Sequence, residues 1–294
     1  MKTIQPAPSF LRLCTLLLTC LLSFTPLSSR VVCKAEDSVL VEKLLCMEPG
    51  PNDVLFYARK FVGKPYVAHT LEVCDPECLV VNLRELDCTT FVETVCALAL
   101  THRQGGKHFK DYCRNLEKLR YWHGVTDGYC SRLHYFTWWM HDNIQKGLVS
   151  EVTDPQCFTS PITVNNHYMS DHADQYRFLS GKADRIREIR RLEQQYNRND
   201  GFYLPESKTG WNARRLQCIH SGDIVAIVTT KAGLDYSHLG FAVWGDDGRL
   251  HLLHASSAQK KVVEERRTLA AYLAGIKSSV GIRVLRLCNG LLPA

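Results

Sequence analysis

The sequence LDCTTFVE at residues 86–93 marks the point where an extended, apolar approach ends and a helix begins. Apolar residues recur after it at spacings of three and four, which predicts a helix over residues 87–100. Asp87 is suited to cap this helix, because its carboxylate can accept hydrogen bonds from the first free N–H groups. A competing capping box further along would move the start by a few residues. Either start places Cys88 in or beside the first turn.

The thiol of Cys88 is therefore a candidate nucleophile. Unpaired N–H groups and the helix dipole favour an anion at a helix start, so this thiol is expected to ionise more readily than a free one. A thiolate there can attack a carbonyl group while nearby N–H groups hold the resulting oxyanion. The alternative is a buried structural cysteine, as most cysteines are, and a nucleophile still needs a partner histidine.

The composition is that of a soluble globular protein with an ample core: 294 residues, 45% of them hydrophobic and 22% charged. Residues 1–35 resemble a secretory signal, with positive charges, an apolar stretch at 13–24, and small residues that offer cleavage sites at Ser28, Ser29 and Ala35. The apolar stretch is too short to span a bilayer comfortably. We expect an exported protein, periplasmic or secreted, with no stable membrane insertion after cleavage.

The net charge of +6 overstates how basic the exported chain is. Four positive charges and no acidic residue lie in residues 1–35, so cleavage after Ala35 would leave a net charge of +2. No dense block of Lys and Arg occurs in the sequence. Nucleic acid is therefore not an expected partner.

Thirteen cysteines are present, and ten would remain after that cleavage, in a compartment where disulfides are permitted. Cys74 and Cys78 are the obvious local pair, either as a disulfide or as two free thiols. A zinc site at this pair is disfavoured, because no second Cys pair or His pair follows at zinc-finger spacing.

The order of the predicted elements indicates an α+β fold, with helices first and an antiparallel sheet last. Residues 101–220 are predicted to be mostly helix and loop without a β-rich run, and the pattern then changes to strands. No repeat or long linker divides the chain, so residues 36–294 are expected to form one domain with a helical insertion at 101–220. The predicted helices are 37–47, 53–62, 87–100, 131–147, 183–197 and 268–275, and the predicted strands are 223–228, 238–244, 250–254 and 282–287, with extended chain at 66–72.

Two of the twelve histidines are brought together by a predicted hairpin. A three-residue loop at 246–248, ending in a left-handed glycine, is a common hairpin turn. Continuing that register puts Gly240 opposite His254 and makes His238 and His254 diagonal neighbours on one face. A two- or four-residue loop would put them on opposite faces, as two ordinary strand histidines. With no side chain at Gly240 between the rings, His238 could take the cysteine proton and His254 could orient it.

The wider pattern resembles a known family. The motifs around Cys88, His238 and His254 are similar to those of the NlpC-type cell-wall cysteine amidases and peptidases, which have a papain-like fold. A longer set of motifs resembles one branch, the N-acetylmuramoyl-L-alanine amidase-like proteins, over roughly residues 39–288. The three motifs of the wider group are DCT at 87–89, SHLG at 237–240 and HAS at 254–256. Those of the branch are GKPY at 63–66, TLE at 70–72, LDCTTFVE at 86–93, RLHY at 132–135, GDI at 222–224 and LHASS at 253–257.

The resemblance implies Cys88 as the nucleophile, His238 as the base and His254 as the third catalytic residue. Without the resemblance, Tyr66 would be interpreted as a structural turn residue. The resemblance implies instead that its hydroxyl helps to form the oxyanion site. His69 is a departure, because a small residue is expected there and a larger one would narrow the cleft. The residues implied to contact substrate are Asp87, Thr70 and Ser237, with Arg132, His134 and Tyr135 on the glycan side, where each could equally be a packing residue.

The predicted reaction is hydrolysis, without metal or cofactor, of the amide bond between the lactyl group of N-acetylmuramic acid and L-alanine in peptidoglycan fragments. A stem-peptide endopeptidase of the same superfamily, cutting after D-glutamate, is the nearest alternative. A thiol acyltransferase and a non-catalytic cell-wall binding module are further alternatives. A zinc hydrolase would lose activity with a chelator, and no such loss is expected.

Overall fold

A computed structural model describes residues 30–288 of the chain. Its helices are α1 Ala35–Leu45, α2 Asp53–Arg59, α3 Cys88–Arg103, α4 Phe109–Arg120, α5 Phe136–Gln145, α6 Tyr168–Asp171, α7 Ala183–Tyr196 and α8 Leu269–Leu273. Its strands are β1 Val31–Cys33, β2 Leu79–Val81, β3 Val149–Glu151, β4 Ser160–Thr163, β5 Asn199–Pro205, β6 Ile224–Thr229, β7 Tyr236–Trp244, β8 Leu250–Ser256, β9 Lys261–Glu264 and β10 Ser279–Leu287.

The main sheet is antiparallel and has eight strands. Seven follow one another in the order β4-β5-β10-β6-β7-β8-β9, and β3 pairs with β10 beside this path. β1 and β2 form a separate parallel pair. Helices packed on a largely C-terminal antiparallel sheet make this an α+β protein, as the sequence predicts.

Strand β6 is buried along its whole length, which explains its uninterrupted apolar sequence. Ile224 belongs to the larger core, which α3 fills, whereas Val225 belongs to a second core. Phe91 of α3 meets Phe241 of β7 edge-on, with ring centroids 5.5 Å apart. This contact lies one turn from Cys88 and holds the start of α3 against the sheet.

The insertion at 101–220 is mostly helix and loop, as predicted, but it also contains three strands, which the prediction lacks. β3, β4 and β5 all lie within it, and β5 joins the main sheet beside β10. The sequence of β5, NDGFYLP, contains Gly201 and Pro205, so its own residues do not favour a strand. Pairing with β4 on one side and β10 on the other supplies the hydrogen bonds that make it one.

Two predicted boundaries also differ from the structure. The helix predicted at 131–147 begins only at Phe136, because Arg132 pairs as a strand residue with Tyr121. The extended segment predicted at 66–72 is interrupted at His69, whose backbone is left-handed (φ 63°), and a turn follows. A strand contact at Arg132 and a turn at His69 therefore override the secondary structure that the local sequence favours.

The predicted signal segment covers residues 1–35. Residues 1–29 of it lie outside the described part of the chain. Val31–Cys33 forms β1 against β2, and α1 begins at Ala35. Cleavage after Ala35 would therefore remove a strand of the fold, whereas cleavage after Ser28 or Ser29 would keep it. Among the helices of the described chain, none combines the length and the apolarity needed to cross a membrane.

Candidate active site

Cys88 is the first residue of α3, and Asp87 is the N-cap of this helix. The N–H of Thr90 donates to Oδ1 of Asp87 at 2.8 Å, and the N–H of Asp87 donates to the hydroxyl of Thr90 at 2.9 Å. This reciprocal pair confirms the predicted cap. It fixes the first turn of α3, with Cys88 half-buried against the larger core.

Cys88 and His238 line the same cavity, which has a volume of about 220 Å³. The cavity lies where the start of α3 meets the start of β7 and the segment that leads into α5. Three further residues predicted to belong to the site also line it, namely Ser237, His134 and Tyr135.

The predicted hairpin register is confirmed. The loop has three residues, and Phe241 pairs with Leu253, which continues to Gly240 opposite His254. Nε2 of His238 lies 2.6 Å from Nδ1 of His254, with the two rings nearly perpendicular. A Cβ atom at position 240 would lie 2.9 Å from the Cβ of His254, so glycine leaves the room that this arrangement needs.

His254 is fully buried, and its Nε2 has no hydrogen-bond partner within residues 30–288. The ring of Tyr272, on α8, packs against it with centroids 5.1 Å apart and lies 6.5 Å from the ring of His238. Sequence analysis missed Tyr272, because a tyrosine in a short helix carries no motif. Only the packing of α8 on β8 brings it to the histidines.

Burial, followed by the charge of Asp87, raises the pKa of the Cys88 thiol to about 12. Hydrogen bonds from the Leu239 N–H, the Thr89 hydroxyl and its own N–H lower this pKa, but by less. The expectation that this thiol ionises more readily than a free one is therefore wrong for the protein without substrate. Loss of water outweighs the favourable helix start.

Burial lowers the pKa of His238 to about 3, and the neighbouring His254 acts in the same direction. The pKa of His254 is lowered to about 4, again chiefly by burial. Both imidazoles are therefore uncharged at neutral pH. Cys88 and His238 rest as a neutral thiol and a neutral base rather than as an ion pair.

Tyr66 is held close to Cys88 by backbone pairing. Tyr66 and Leu86 form a parallel bridge, and the N–H of Tyr66 donates to the carbonyl oxygen of Lys260 at 2.9 Å. Burial, and then the charges of Cys88 and Asp87, raise the pKa of the Tyr66 hydroxyl to about 12. The hydroxyl therefore keeps its proton and can donate a hydrogen bond.

Arg132 is buried in ion pairs. Its guanidinium donates to Glu72 at 2.7 Å and to Glu77 at 2.8 Å. In the same loop Cys74 and Cys78 form a disulfide, the first of the two forms that the sequence leaves open. The charge of Arg132 is thus paired inside the protein, where it holds the disulfide loop against the insertion.

His134 and Tyr135 line the cavity, but their polar atoms bond to the protein. Nε2 of His134 lies 2.9 Å from the carbonyl oxygen of Tyr129. The hydroxyl of Tyr135 donates to Glu193 at 2.7 Å and accepts from the N–H of Met169 at 2.8 Å. Both residues are therefore anchored as a wall of the cavity.

Thr70 and His69 lie in the turn that follows Tyr66. The hydroxyl of Thr70 is buried and has no partner in the described part of the chain. His69 is exposed and is not among the residues that line the cavity, so the narrowing expected from it is not seen there.

These features define an α+β protein in which a helix-start cysteine and a histidine hydrogen-bonded to a second histidine share one cavity. The family model for AmiA-like, N-acetylmuramoyl-L-alanine amidase-like proteins matches residues 57–282. The chain belongs to this family.

Solved structures resemble this fold over most of their length. An N-acetylmuramoyl-L-alanine amidase from Bacteroides uniformis ATCC 8492 is 37% identical, with a TM-score of 0.74 over 81% of this chain and 99% of its own. A protein from Bacteroides fragilis, provisionally described as a xylanase, is 39% identical, with a TM-score of 0.73 over 79% of this chain and 99% of its own.

A protein from Legionella pneumophila str. Philadelphia 1 shares the fold at 21% identity, with a TM-score of 0.65 over 86% of this chain and 93% of its own. None of the curated proteins matches this chain.

Proposed function

We propose that this protein is a cysteine amidase that hydrolyses the bond between N-acetylmuramic acid and L-alanine in peptidoglycan fragments. The observation that carries the proposal is the cavity shared by Cys88 and His238, with His254 bonded to His238 at 2.6 Å. Membership of the family, and a relative named as an N-acetylmuramoyl-L-alanine amidase, support the choice of substrate. The reaction would take place in the periplasm or outside the cell, after removal of the N-terminal signal.

We propose that the arrangement is of the papain-like type. The nucleophile begins a helix that packs on an antiparallel sheet, and the base is supplied by a strand of that sheet. We take residues 36–294 as one such domain, in which the insertion at 101–220 forms one wall of the cleft through His134 and Tyr135.

In the first step, His238 removes the proton of Cys88 as the sulfur attacks the amide carbonyl. Nε2 of His238 is engaged by His254, which leaves Nδ1 to receive the proton. Because the pKa of the thiol is about 12 and that of the imidazole is about 3, this transfer has to be coupled to formation of the C–S bond. The hydroxyl of Tyr66 and the N–H groups at the start of α3 then donate to the oxyanion.

In the second step, protonated His238 gives its proton to the nitrogen of L-alanine, and the C–N bond breaks. A thioester remains between the lactyl carbonyl and Cys88. A water molecule that has lost a proton to His238 attacks this thioester, which releases the lactyl carboxylic acid and restores the thiol. His254 keeps the ring of His238 in the required tautomer throughout.

The residues predicted to contact substrate differ in whether their polar atoms are already hydrogen-bonded within the protein. Ser237 lines the cavity and is proposed to contact substrate, together with the hydroxyl of Thr70, which has no partner within residues 30–288. His134 and Tyr135, whose polar atoms bond to the protein, are proposed to contact it as a wall of the cavity. Asp87 caps α3 and lies next to the nucleophile, where one edge of its carboxylate could also receive a substrate N–H. Arg132 is proposed to position the disulfide loop rather than to contact the glycan itself.

The deciding experiment is the product spectrum from a defined muropeptide, read by mass spectrometry. Only the amidase releases a peptide beginning with L-alanine from the sugar, whereas an endopeptidase would cut after D-glutamate. Cys88→Ala should lower turnover by at least about a thousandfold with an unchanged circular dichroism spectrum. Cys130→Ser, at a half-buried cysteine outside the cavity, is the matched control and should stay active. A fully active Cys88→Ala protein would remove the mechanism.

A glycosidase is not favoured by this cavity. Glycoside hydrolysis needs two carboxyl groups that flank the scissile bond. Asp235 is the single carboxylate among the residues that line the cavity, and it accepts from the N–H of Thr137 at 2.9 Å and from Asn166 at 3.1 Å.

The same muropeptide distinguishes the proposed amidase from an acyltransferase and from a non-catalytic binding module. An acyltransferase would pass the lactyl group to an added amine and would form a new amide instead of the acid. A binding module would keep its affinity for muropeptides after thiol alkylation and would show no turnover before it.

A further inference from the structure

Three side chains with metal-ligating atoms meet beside the second core. Asp154 and Cys157 lie between β3 and β4, and Cys218 lies ahead of β6. A carboxylate oxygen and the two sulfur atoms all lie within 4.8 Å of one another. None of the three lines the cavity that contains Cys88. We propose that they form a structural binding site for a thiophilic divalent cation, with Zn²⁺ as the ion that best suits the ligands.

A tight turn places the first two ligands. The N–H groups of Cys157 and Phe158 donate to the carbonyl oxygen of Asp154 at 2.9 Å and 2.8 Å. The N–H of Gln156 donates to Oδ1 of Asp154 at 2.8 Å, which leaves the second carboxylate oxygen for a cation. The turn therefore directs one oxygen and one sulfur to the same side.

The third ligand is held from the main sheet. Arg286, on β10, donates to the carbonyl oxygen of Cys218 at 2.8 Å and to Asp223 at 2.7 Å. The buried thiol of Cys157 donates to the carbonyl oxygen of Arg215 at 3.3 Å, so the segment that carries Cys218 also contacts the turn. The three ligands thus come from two segments that are already packed together.

The chemistry of this set fits a zinc ion. Ligand atoms at about 2.0–2.3 Å from a tetrahedral Zn²⁺ lie roughly 3.4–3.8 Å apart, so a small inward movement is enough. Thiolate ligands select Zn²⁺ over the hard cations Mg²⁺ and Ca²⁺. Burial, and then the charges of Cys218 and Asp154, raise the pKa of Cys157 to about 11, so the three groups repel one another when ionised. A divalent cation turns that repulsion into attraction.

A polar cleft of about 550 Å³ beside the cluster provides the fourth coordination position. Asp154 and Cys157 line it together with Asn212, Gln217 and the two cationic residues Arg214 and Arg215. Water from this cleft can complete the tetrahedron. The ion would then tie the turn of the insertion to the segment before β6, which predicts an effect on stability and not on the chemical step.

A disulfide between Cys157 and Cys218 is the competing arrangement. It requires the two sulfur atoms to approach to about 2.05 Å, and it would leave the carboxylate of Asp154 with no part in the link between the two segments. Both cysteines are free thiols in this structure, in contrast to Cys74 and Cys78.

The test is cation binding to the full exported chain carrying Cys88→Ala, so that the catalytic thiol does not contribute. After purification with a non-thiol reductant and removal of metals, one Zn²⁺ per chain should bind, and Co²⁺ should give a sulfur-to-cobalt charge-transfer band. Cys157→Ser and Cys218→Ser should each weaken binding by more than about 100-fold, since even outer-sphere changes cost 10–100-fold. Cys130→Ser should bind like the parent protein.

Thermal unfolding gives the second measurement. Zn²⁺ should raise the unfolding temperature of the parent and of Cys130→Ser, and it should leave that of Cys157→Ser unchanged. The proposal is overturned if the parent binds no ion, if Cys157→Ser binds as tightly as the parent, or if peptide mapping of the unreduced protein finds Cys157 bonded to Cys218. If the serine variants do not fold, Asp154→Asn replaces them, and binding by it as tight as that of the parent overturns the proposal.

Discussion

At the scale of single residues, burial controls the protonation of the proposed catalytic pair. It raises the pKa of Cys88 and lowers that of His238, so the two groups rest uncharged in the same cavity. A thiol that is neutral until substrate arrives is also protected from oxidation, because the thiolate is the reactive form. Because the sulfur is uncharged at rest, the proposed reaction depends chiefly on the hydrogen-bond donors that surround the substrate carbonyl.

The pH dependence of amide hydrolysis follows from the histidine. Because the pKa of His238 is lowered to about 3, it stays able to accept the thiol proton, and kcat/KM should remain level as the pH falls from about 7 to about 4. An ordinary imidazole, with a pKa near 6.5, would lose most of its activity over that range. A pH–rate profile, with circular dichroism to confirm folding at each pH, makes the measurement. A midpoint near 6.5 in folded protein would contradict the assignment.

Tyr66 provides a test of the oxyanion site. Tyr66→Phe removes one donor from the developing oxyanion, and a loss of about 10²–10³-fold in kcat with little change in KM is expected. Tyr57→Phe is the matched control, because the hydroxyl of Tyr57 is buried with no partner in the described chain and lies outside the cavity. Steady-state kinetics on one muropeptide compare the two variants. Equal effects would show that Tyr66 has no special role.

At the scale of elements, the cap of α3 links helix stability to the position of Cys88, the proposed nucleophile. Asp87→Ala should lower the free energy of unfolding by about 0.5–2 kcal/mol and should reduce turnover, because the first turn carries Cys88. Asp87→Asn keeps an acceptor and should keep most of the stability. Urea denaturation measures the first effect and muropeptide turnover the second.

The cap of α2 supplies the control for this prediction. Asn52 accepts from the N–H of Leu55 at 2.9 Å, and it is not among the residues that line the cavity. Asn52→Ala should cost comparable stability while leaving turnover of the folded enzyme unchanged. If Asn52→Ala and Asp87→Ala lose activity equally, the cap of α3 has no specific role in placing Cys88.

The elements also differ in how far their own sequences specify them. α3 has a cap, an apolar repeat of helical period and a core-facing surface, so local rules suffice to predict it. β5 has a glycine and a proline and becomes a strand through its neighbours. The hairpin of β7 and β8 lies between these cases, because its short loop sets the register of residues far from the turn.

At the scale of the whole molecule, three histidines that lose water on folding tie stability to pH; His254 is fully buried, and His134 and His238 are partly buried. The pKa values of His134, His238 and His254 are lowered to about 3, 3 and 4, chiefly by burial. In the unfolded chain these groups titrate near 6.5, so below that pH the unfolded state binds protons that the folded state does not. The free energy of unfolding should therefore be fully retained above about pH 6.5 and should fall as the pH decreases toward 4.

Urea denaturation at a series of pH values measures this slope. His134→Asn removes one of the three groups and should make the slope shallower between about pH 6.5 and 4. His108→Asn, at an exposed histidine, should leave it unchanged. Stability that stays constant over this range would show that the buried imidazoles take up protons without unfolding.

The amino-acid sequence by itself determined the α+β class, the capped helix at Cys88, and the register that places His238 beside His254. These features rest on spacing, capping and turn length, which act over a few residues. Tertiary structure alone decided the strands of the insertion, the pairing of Arg132 with Glu72 and Glu77, and the packing of Tyr272 on the histidines. It also decided the protonation of the thiol, because burial is a property of the folded chain and no local pattern reports how much water a side chain has lost.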